Sequence, residues 1–174
     1  PPHPHTGLQT VSWLFTGEIE HRDSLGTHAM VRPGELNLMT AGHGICHSEV
    51  STPATTLLHG VQLWTLLPSG SRDTAPRFEH HVPPVTPLPD GEARVFLGTL
   101  AGSTSSVQTF SPLVGAELRL RAGAQVELAV DPGFEHGYLL DSGALELDGT
   151  SAAPGELLYL PPGRSTVTLR AGAG

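Results

Sequence analysis

Glycine and proline punctuate this chain so often that a helical fold is closed to it. There are 21 glycines and 16 prolines in 174 residues, recurring at short intervals where each interrupts a helix or turns the chain. Between them lie short apolar or alternating runs: Leu8 to Phe15, Glu35 to Thr40, Gly60 to Leu67, Ala93 to Leu100, Glu117 to Leu120, Gln125 to Val130, Tyr138 to Leu140, Ala144 to Leu147, Leu157 to Leu160 and Thr166 to Leu169. Many short strands with regular turn signals predict an all-β sandwich or barrel. Helical periodicity is sustained nowhere, so one short helix at most is expected.

The turns carry their own chemistry. Thr16-Gly17-Glu18 and Asp148-Gly149-Thr150 each separate two strand-like runs, with a glycine free to take positive φ. Pro33-Gly34-Glu35-Leu36 and Pro154-Gly155-Glu156-Leu157 each set a Pro-Gly turn before an apolar run. Val11 to Leu38 and Tyr138 to Leu160 therefore share one order: strand, Gly turn, strand, Pro-Gly-Glu-Leu, strand. That is an internal duplication, the sign of a repeated architecture. Residues 69–90, rich in Pro, Ser and Thr, read as a linker between an N-terminal barrel (1–68) and a C-terminal barrel (91–174).

Composition narrows the function classes. Charged residues make up 15% and the formal net charge is −8. That argues against direct nucleic-acid binding, which needs a basic patch. No apolar run approaches a membrane span, and no signal-peptide pattern is visible from Pro1 onward. Cys46 is the single cysteine, so an intrachain disulfide is excluded and a reducing, cytoplasmic setting is expected. A monomer is expected.

Seven of the ten histidines fall in the first 60 residues, and two clusters carry chemistry. In Pro2-His3-Pro4-His5 the prolines hold the segment extended, and alternate side chains of an extended segment share a face. In Ile45-Cys46-His47-Ser48-Glu49 the same parity aligns His47 with Glu49. On neighbouring strands of a barrel the two pairs would converge on one interior point. Three imidazoles and a carboxylate suit Fe(II), Mn, Ni, Co, Cu or Zn. On an octahedral ion they would leave two positions for water, dioxygen or a chelating substrate. Structural zinc sites more often use thiolates.

The remaining candidates read as structural. His21, His28, His59, His80, His81 and His136 are expected not to ligate, and Cys46 to be a small buried hydrophobe facing away from the paired positions. Glu18, Glu20, Arg22 and Asp23 are expected to form a solvated hairpin, and Trp13 and Trp64 to pack cores, with walling of the metal pocket as the less favoured alternative. His43, flanked by glycines, could stand behind the ligands. No phosphate loop, Gly-x-Ser-x-Gly elbow or paired-Cys motif competes.

Several motifs in order resemble the pirin family: Pro2-His3-Pro4-His5-Thr6-Gly7-Leu8-Gln9-Thr10-Val11, Gly17-Glu18-Ile19-Glu20-His21-Arg22-Asp23-Ser24-Leu25-Gly26, Met39-Thr40-Ala41-Gly42, His47-Ser48-Glu49 and His59-Gly60-Val61-Gln62-Leu63-Trp64. The second half is similar more loosely, through Arg94 to Gly98, Gly102-Ser103-Thr104-Ser105 and the turn at Pro154-Gly155-Glu156. The resemblance implies two tandem cupin barrels, the second without metal. It also implies one metal, commonly iron, on three histidines and a glutamate, a pattern that falls on His3, His5, His47 and Glu49. Where the family commonly has Glu four positions after the second histidine, this chain has Gln9, expected to alter charge or hydrogen bonding beside the metal. Pirins also carry some tens of residues before the His-Pro-His motif. With His3 so near the start, metal binding is expected to help order this segment.

Two function classes follow from the resemblance. One is an oxygenase similar to quercetin 2,3-dioxygenase, taking dioxygen and a chelating phenolic substrate, with Glu49 accepting a substrate proton. The other is a non-catalytic metal- or redox-sensing co-regulator acting through a protein partner; an idle storage-type cupin stands behind both.

Overall fold

Strand β2 (Leu8–Thr16) is nearly all buried, because it has a neighbour on each edge and a packed layer on each face. It is the first long strand of a computed structural model that describes residues 1–173. The other strands of the first half are β1 (His3–His5), β3 (Ile19–Asp23), β4 (His28–Val31), β5 (Leu36–Thr40), β6 (Ile45–Ser51), β7 (His59–Leu66) and β8 (Arg77–His81). They form two four-stranded sheets, ordered β1-β6-β3-β4 and β7-β2-β5-β8, with antiparallel pairing. Among the described residues the only helix is a single 3-10 turn at Ser69–Ser71, following Pro68.

The period-two alternation of β2 sorts its side chains onto two faces. Val11 and Trp13 point one way and pack with Leu36, Leu38, Phe96 and Leu97. Trp13 stacks on Phe96 with ring centroids 4.4 Å apart and an interplanar angle of 24°. Leu8 points the other way, into a cluster with Met39, Ala41, Ile45 and Phe78. Thr10 and Ser12 continue that second face and are buried despite being polar. This is the face turned towards the β1-β6-β3-β4 sheet, as the contact from Ser12 to Glu49 shows.

The remaining strands are β9 (Val85–Leu88), β10 (Gly91–Leu97), β11 (Thr99–Leu100), β12 (Ser103–Thr104), β13 (Gly115–Leu120), β14 (Gln125–Ala129), β15 (His136–Leu139), β16 (Leu145–Leu147), β17 (Thr150–Ala152), β18 (Leu157–Leu160) and β19 (Thr166–Ala171). The chain divides into two compact units. One holds residues 1–84 with 96–98 and 104–115; the other holds 85–95, 99–103 and 116–174. The second unit packs Val126, Leu128, Leu147, Leu160, Val167 and Leu169 between the β14-β19-β16-β17 sheet and the β15-β18 ribbon. The architecture is all-β, as the punctuation required.

The duplication is visible in the pairing. In the first unit β2 pairs with β5, and β3 pairs with β4 between them. In the second, β15 pairs with β18 and β16 with β17. The Pro-Gly turns correspond, Gly34 before β5 and Gly155 before β18 with φ of +75° and +86°. Gly17 and Gly149 do not: Gly17 turns β2 into β3, whereas Gly149 turns β16 into β17, the connection where the first repeat has Gly26, with φ of +87° at all three. The segment 69–90 differs from its expectation as a plain linker. Arg77–His81 forms β8 against β5, and Val85–Leu88 forms β9 against β10. Arg-Phe-Glu-His-His has little apolar alternation; it becomes a strand because β5 offers an open ladder edge.

Candidate metal centre

Register explains the site. In an antiparallel pair, residues directly opposite one another share a face. His3 lies opposite His47 and His5 opposite Ile45 across the β1–β6 pair. His21 lies opposite Glu49 and Asp23 opposite His47 across the β3–β6 pair. All six polar side chains therefore leave the sheet on one face, towards β2 and β7. Cys46 belongs to the other parity and is exposed. It faces away as expected, but it is not the buried hydrophobe that its residue type suggested, because β6 carries nothing over its outer face at that point.

The three histidines meet closely. The Nε2 atom of His47 lies 3.1 Å from that of His5 and 3.2 Å from that of His3. His5 and His47 are buried, and His3 is exposed. Their ring centroids are 4.6 to 5.0 Å apart. Among the described residues, two sets of side chains are placed to hold a metal ion: His3, His5 and His47, and then His21, His47 and Glu49. His47 belongs to both. Glu49 thus adjoins the three-histidine cluster through His47.

Three donors hold Glu49. Ser12 Oγ donates to Oε1 at 3.2 Å, and Gln62 Nε2 donates to Oε2 at 2.5 Å. The Nδ1 atom of His21 lies 3.5 Å from Oε1. The other His21 nitrogen, Nε2, faces Asp23 Oδ2 at 3.3 Å. Burial favours the neutral carboxylic acid, but the hydrogen bonds from His21 and Gln62 and the adjacent His47 outweigh it and hold Glu49 below the usual carboxylate range. Burial, reinforced by the neighbouring imidazoles and opposed by Glu49, pushes His47 down to about 4. Burial and His3 lower His5 as well. His5 and His47 thus stand as neutral imidazoles beside an ionised Glu49 near neutral pH, the states in which these groups ligate metals.

His21 departs from its expected structural role. Its side chain is 1% exposed and lies between two carboxylates. Burial works against its charged form, yet the bonds to Glu49 and Asp23 and their charges raise it above the ordinary histidine value. Asp23 departs too: its side chain is fully buried, while its hairpin neighbours Glu20 and Arg22 pair on the outside. The local signal was His21-x-Asp23, which has the same alternation as His47-x-Glu49; only the β3–β6 register shows that the two face each other. Trp64 takes the less favoured of its two expected roles. It is 62% exposed and sits edge-on to His5 at 5.3 Å, so it borders the centre instead of filling a core.

Gln9 lies on the opposite face of β2 from Ser12. It bonds Thr40 Oγ1 and the Gln108 carbonyl, on the side of β2 turned away from the Ser12–Glu49 contact. His43 is exposed, with its backbone N–H on the Thr74 carbonyl. His28 pairs with Glu20, His80 with Asn37 and Glu35, His81 with Ser106, and His136 with the Asp131 carbonyl. His59 sits edge-on to Phe15. None of these joins a metal-holding set.

Comparison with known proteins places the chain in a family. Residues 1–65 match the family model described as Pirin. A Pseudomonas aeruginosa protein provisionally named a quercetin 2,3-dioxygenase is 45% identical over 97% of this chain and 54% of its own length. A pirin-like protein of Caulobacter vibrioides is 37% identical over 95% of this chain and 60% of its own. The crystal structure of a quercetin 2,3-dioxygenase from Acinetobacter baumannii superposes with a TM-score of 0.94 at 36% identity, covering 99% of this chain and 58% of that one. The chain therefore spans somewhat more than half the length of these relatives. No helix among the described residues is long and apolar enough to cross a membrane. The all-β repeat agrees with these likenesses: the chain belongs to the pirin family of cupin proteins.

Proposed function

We propose that His3, His5, His47 and Glu49 hold one divalent transition metal, iron foremost with Ni, Co, Cu, Mn and Zn compatible, at which a chelating phenolic substrate reacts with dioxygen. The observation that carries this is the meeting of three imidazole Nε2 atoms within 3.1 and 3.2 Å around His47. Neutral imidazoles offer one lone pair each, and three such nitrogens crowded together cannot all find donors among themselves. A cation satisfies all of them. His47 Nδ1 is also buried and has no hydrogen-bond partner, so the ring is not committed to the protein at its other nitrogen.

The bound metal would supply the redox chemistry between substrate and dioxygen. The chain's own residues bind, orient and move a proton. Glu49, kept ionised by its donors, would take the proton of a substrate hydroxyl at Oε2, the oxygen facing the exposed Gln62. Trp64 offers an exposed aromatic face beside His5, where a flat phenolic ring can stack. The similarity to proteins named quercetin 2,3-dioxygenase supports a flavonol as the first substrate to try.

The test is a ring-opening assay on quercetin with the protein loaded in turn with Fe, Ni, Co, Cu and Mn. Turnover with at least one metal, lost in Glu49→Ala, supports the reading. Folded protein that retains metal and turns over nothing overturns it in favour of a metal-responsive binding module.

A further inference from the structure

We propose that His21 is a positioning residue for Glu49, holding its carboxylate in place through a buried chain that runs from the 23–27 turn to Asp23, His21 and then Glu49. This rests on the reading of Glu49 as a metal ligand and extends it to residues outside the four.

The chain starts in the backbone. Asp23 Oδ1 accepts the N–H groups of Leu25 at 2.9 Å and Thr27 at 3.0 Å. The turn is closed by Asp23 N–H on the Thr27 carbonyl and Gly26 N–H on the Asp23 carbonyl, with Gly26 supplying a φ of +87°. One carboxylate oxygen is thus pinned by the turn, and Oδ2 is left to face His21 Nε2 at 3.3 Å. The imidazole cannot turn freely, because its ring packs against Phe78 at 4.6 Å and is almost wholly buried. With Nε2 directed at Asp23, Nδ1 is directed at Glu49 Oε1, 3.5 Å away. An ionised carboxylate only accepts, so the proton on this contact belongs to Nδ1.

Ser12 and Gln62 approach Glu49 from the other sheet. His21 reaches it from the strand that neighbours β6. The carboxylate is therefore fixed from two directions before any ion arrives. Groups that orient a ligand in this way typically change metal affinity by about 10- to 100-fold when removed.

The experiment compares His21→Phe, which keeps the ring and its packing on Phe78 but removes both N–H groups, with His21→Gln, whose amide can still donate to Glu49. Cobalt(II) affinity is measured by chelator competition, and the visible absorption of the cobalt-loaded protein is recorded alongside. The phenylalanine variant should bind cobalt about 10- to 100-fold more weakly with a changed spectrum. The glutamine variant should recover to within a few-fold, with the wild-type spectrum. A role in packing alone would give the reverse ranking, since phenylalanine is the better filler, and that result overturns the proposal. Wild-type affinity and spectrum in His21→Phe overturn it as well. Wild-type protein that takes up no cobalt overturns the four-ligand reading and this inference with it. Should His21→Phe not fold, nitrogen-15 NMR of the wild-type ring decides. A solvent-protected Nδ1–H on His21 is expected, and an unprotonated Nδ1 refutes the chain.

Discussion

Acidifying the metal-free protein should destabilise it through His47, and the size of the effect follows from the site. The folded protein holds this imidazole neutral down to about pH 4, because the ring is buried among other imidazoles. The unfolded chain takes up the proton near the ordinary histidine value of about 6.5. Between those values the unfolded state binds more protons, so stability must fall as pH falls. The full difference corresponds to about 3 kcal/mol, reached near pH 4. His5 is also lowered and acts in the same direction. His21 is raised, so its contribution is present in acid and lost as pH rises, which opposes His47 in part. Urea unfolding followed by tryptophan fluorescence, in chelator at half-unit steps from pH 7.5 to 4, gives the slope. His47→Gln removes the titrating group and should flatten the curve across this window. An equally steep dependence in the variant would refute the argument that burial of His47 sets it.

Two further outcomes follow from packing and ligation. Trp13→Ala removes a side chain that is 1% exposed and stacked on Phe96, so it should destabilise the protein by about 3–5 kcal/mol, read as a lower urea midpoint. Chelation should lower the melting temperature. Strand β1 has three residues and, among the described residues, pairs with β6 alone, so the metal contributes to holding it; a hundredfold excess over Kd is worth about 2.7 kcal/mol, or roughly 5–10 °C for a chain of this size. An unchanged melt would remove metal from the account of folding.

The alternation of residues along single strands was legible in the sequence. His3 with His5, and His47 with Glu49, share faces because a strand repeats every two residues, and the structure brings the three histidines together on that basis. The turns at Pro33-Gly34 and Pro154-Gly155 marked a repeat that the pairing of β2 with β5 and of β15 with β18 reproduces, whereas Gly17 and Gly149 fall at different connections of it. What the sequence concealed depends on which strands lie side by side. His21 and Asp23 acquire their positions only when β3 pairs with β6 in the observed register. Trp64 looks like core on composition, but β7 is an edge strand, and its ring is left at the border of the site. Arg77–His81 is polar enough to read as linker, and it is strand only because β5 has an unoccupied edge.

Metal content tests the central claim most directly. Protein purified without added metal is examined by elemental analysis beside its His47→Ala and His43→Ala variants. The account predicts about one transition-metal ion per chain in the wild type, nearly none without His47, which belongs to both candidate ligand sets, and an unchanged content without the exposed His43. A wild type free of metal, or a His47→Ala variant that keeps its full complement, would contradict it.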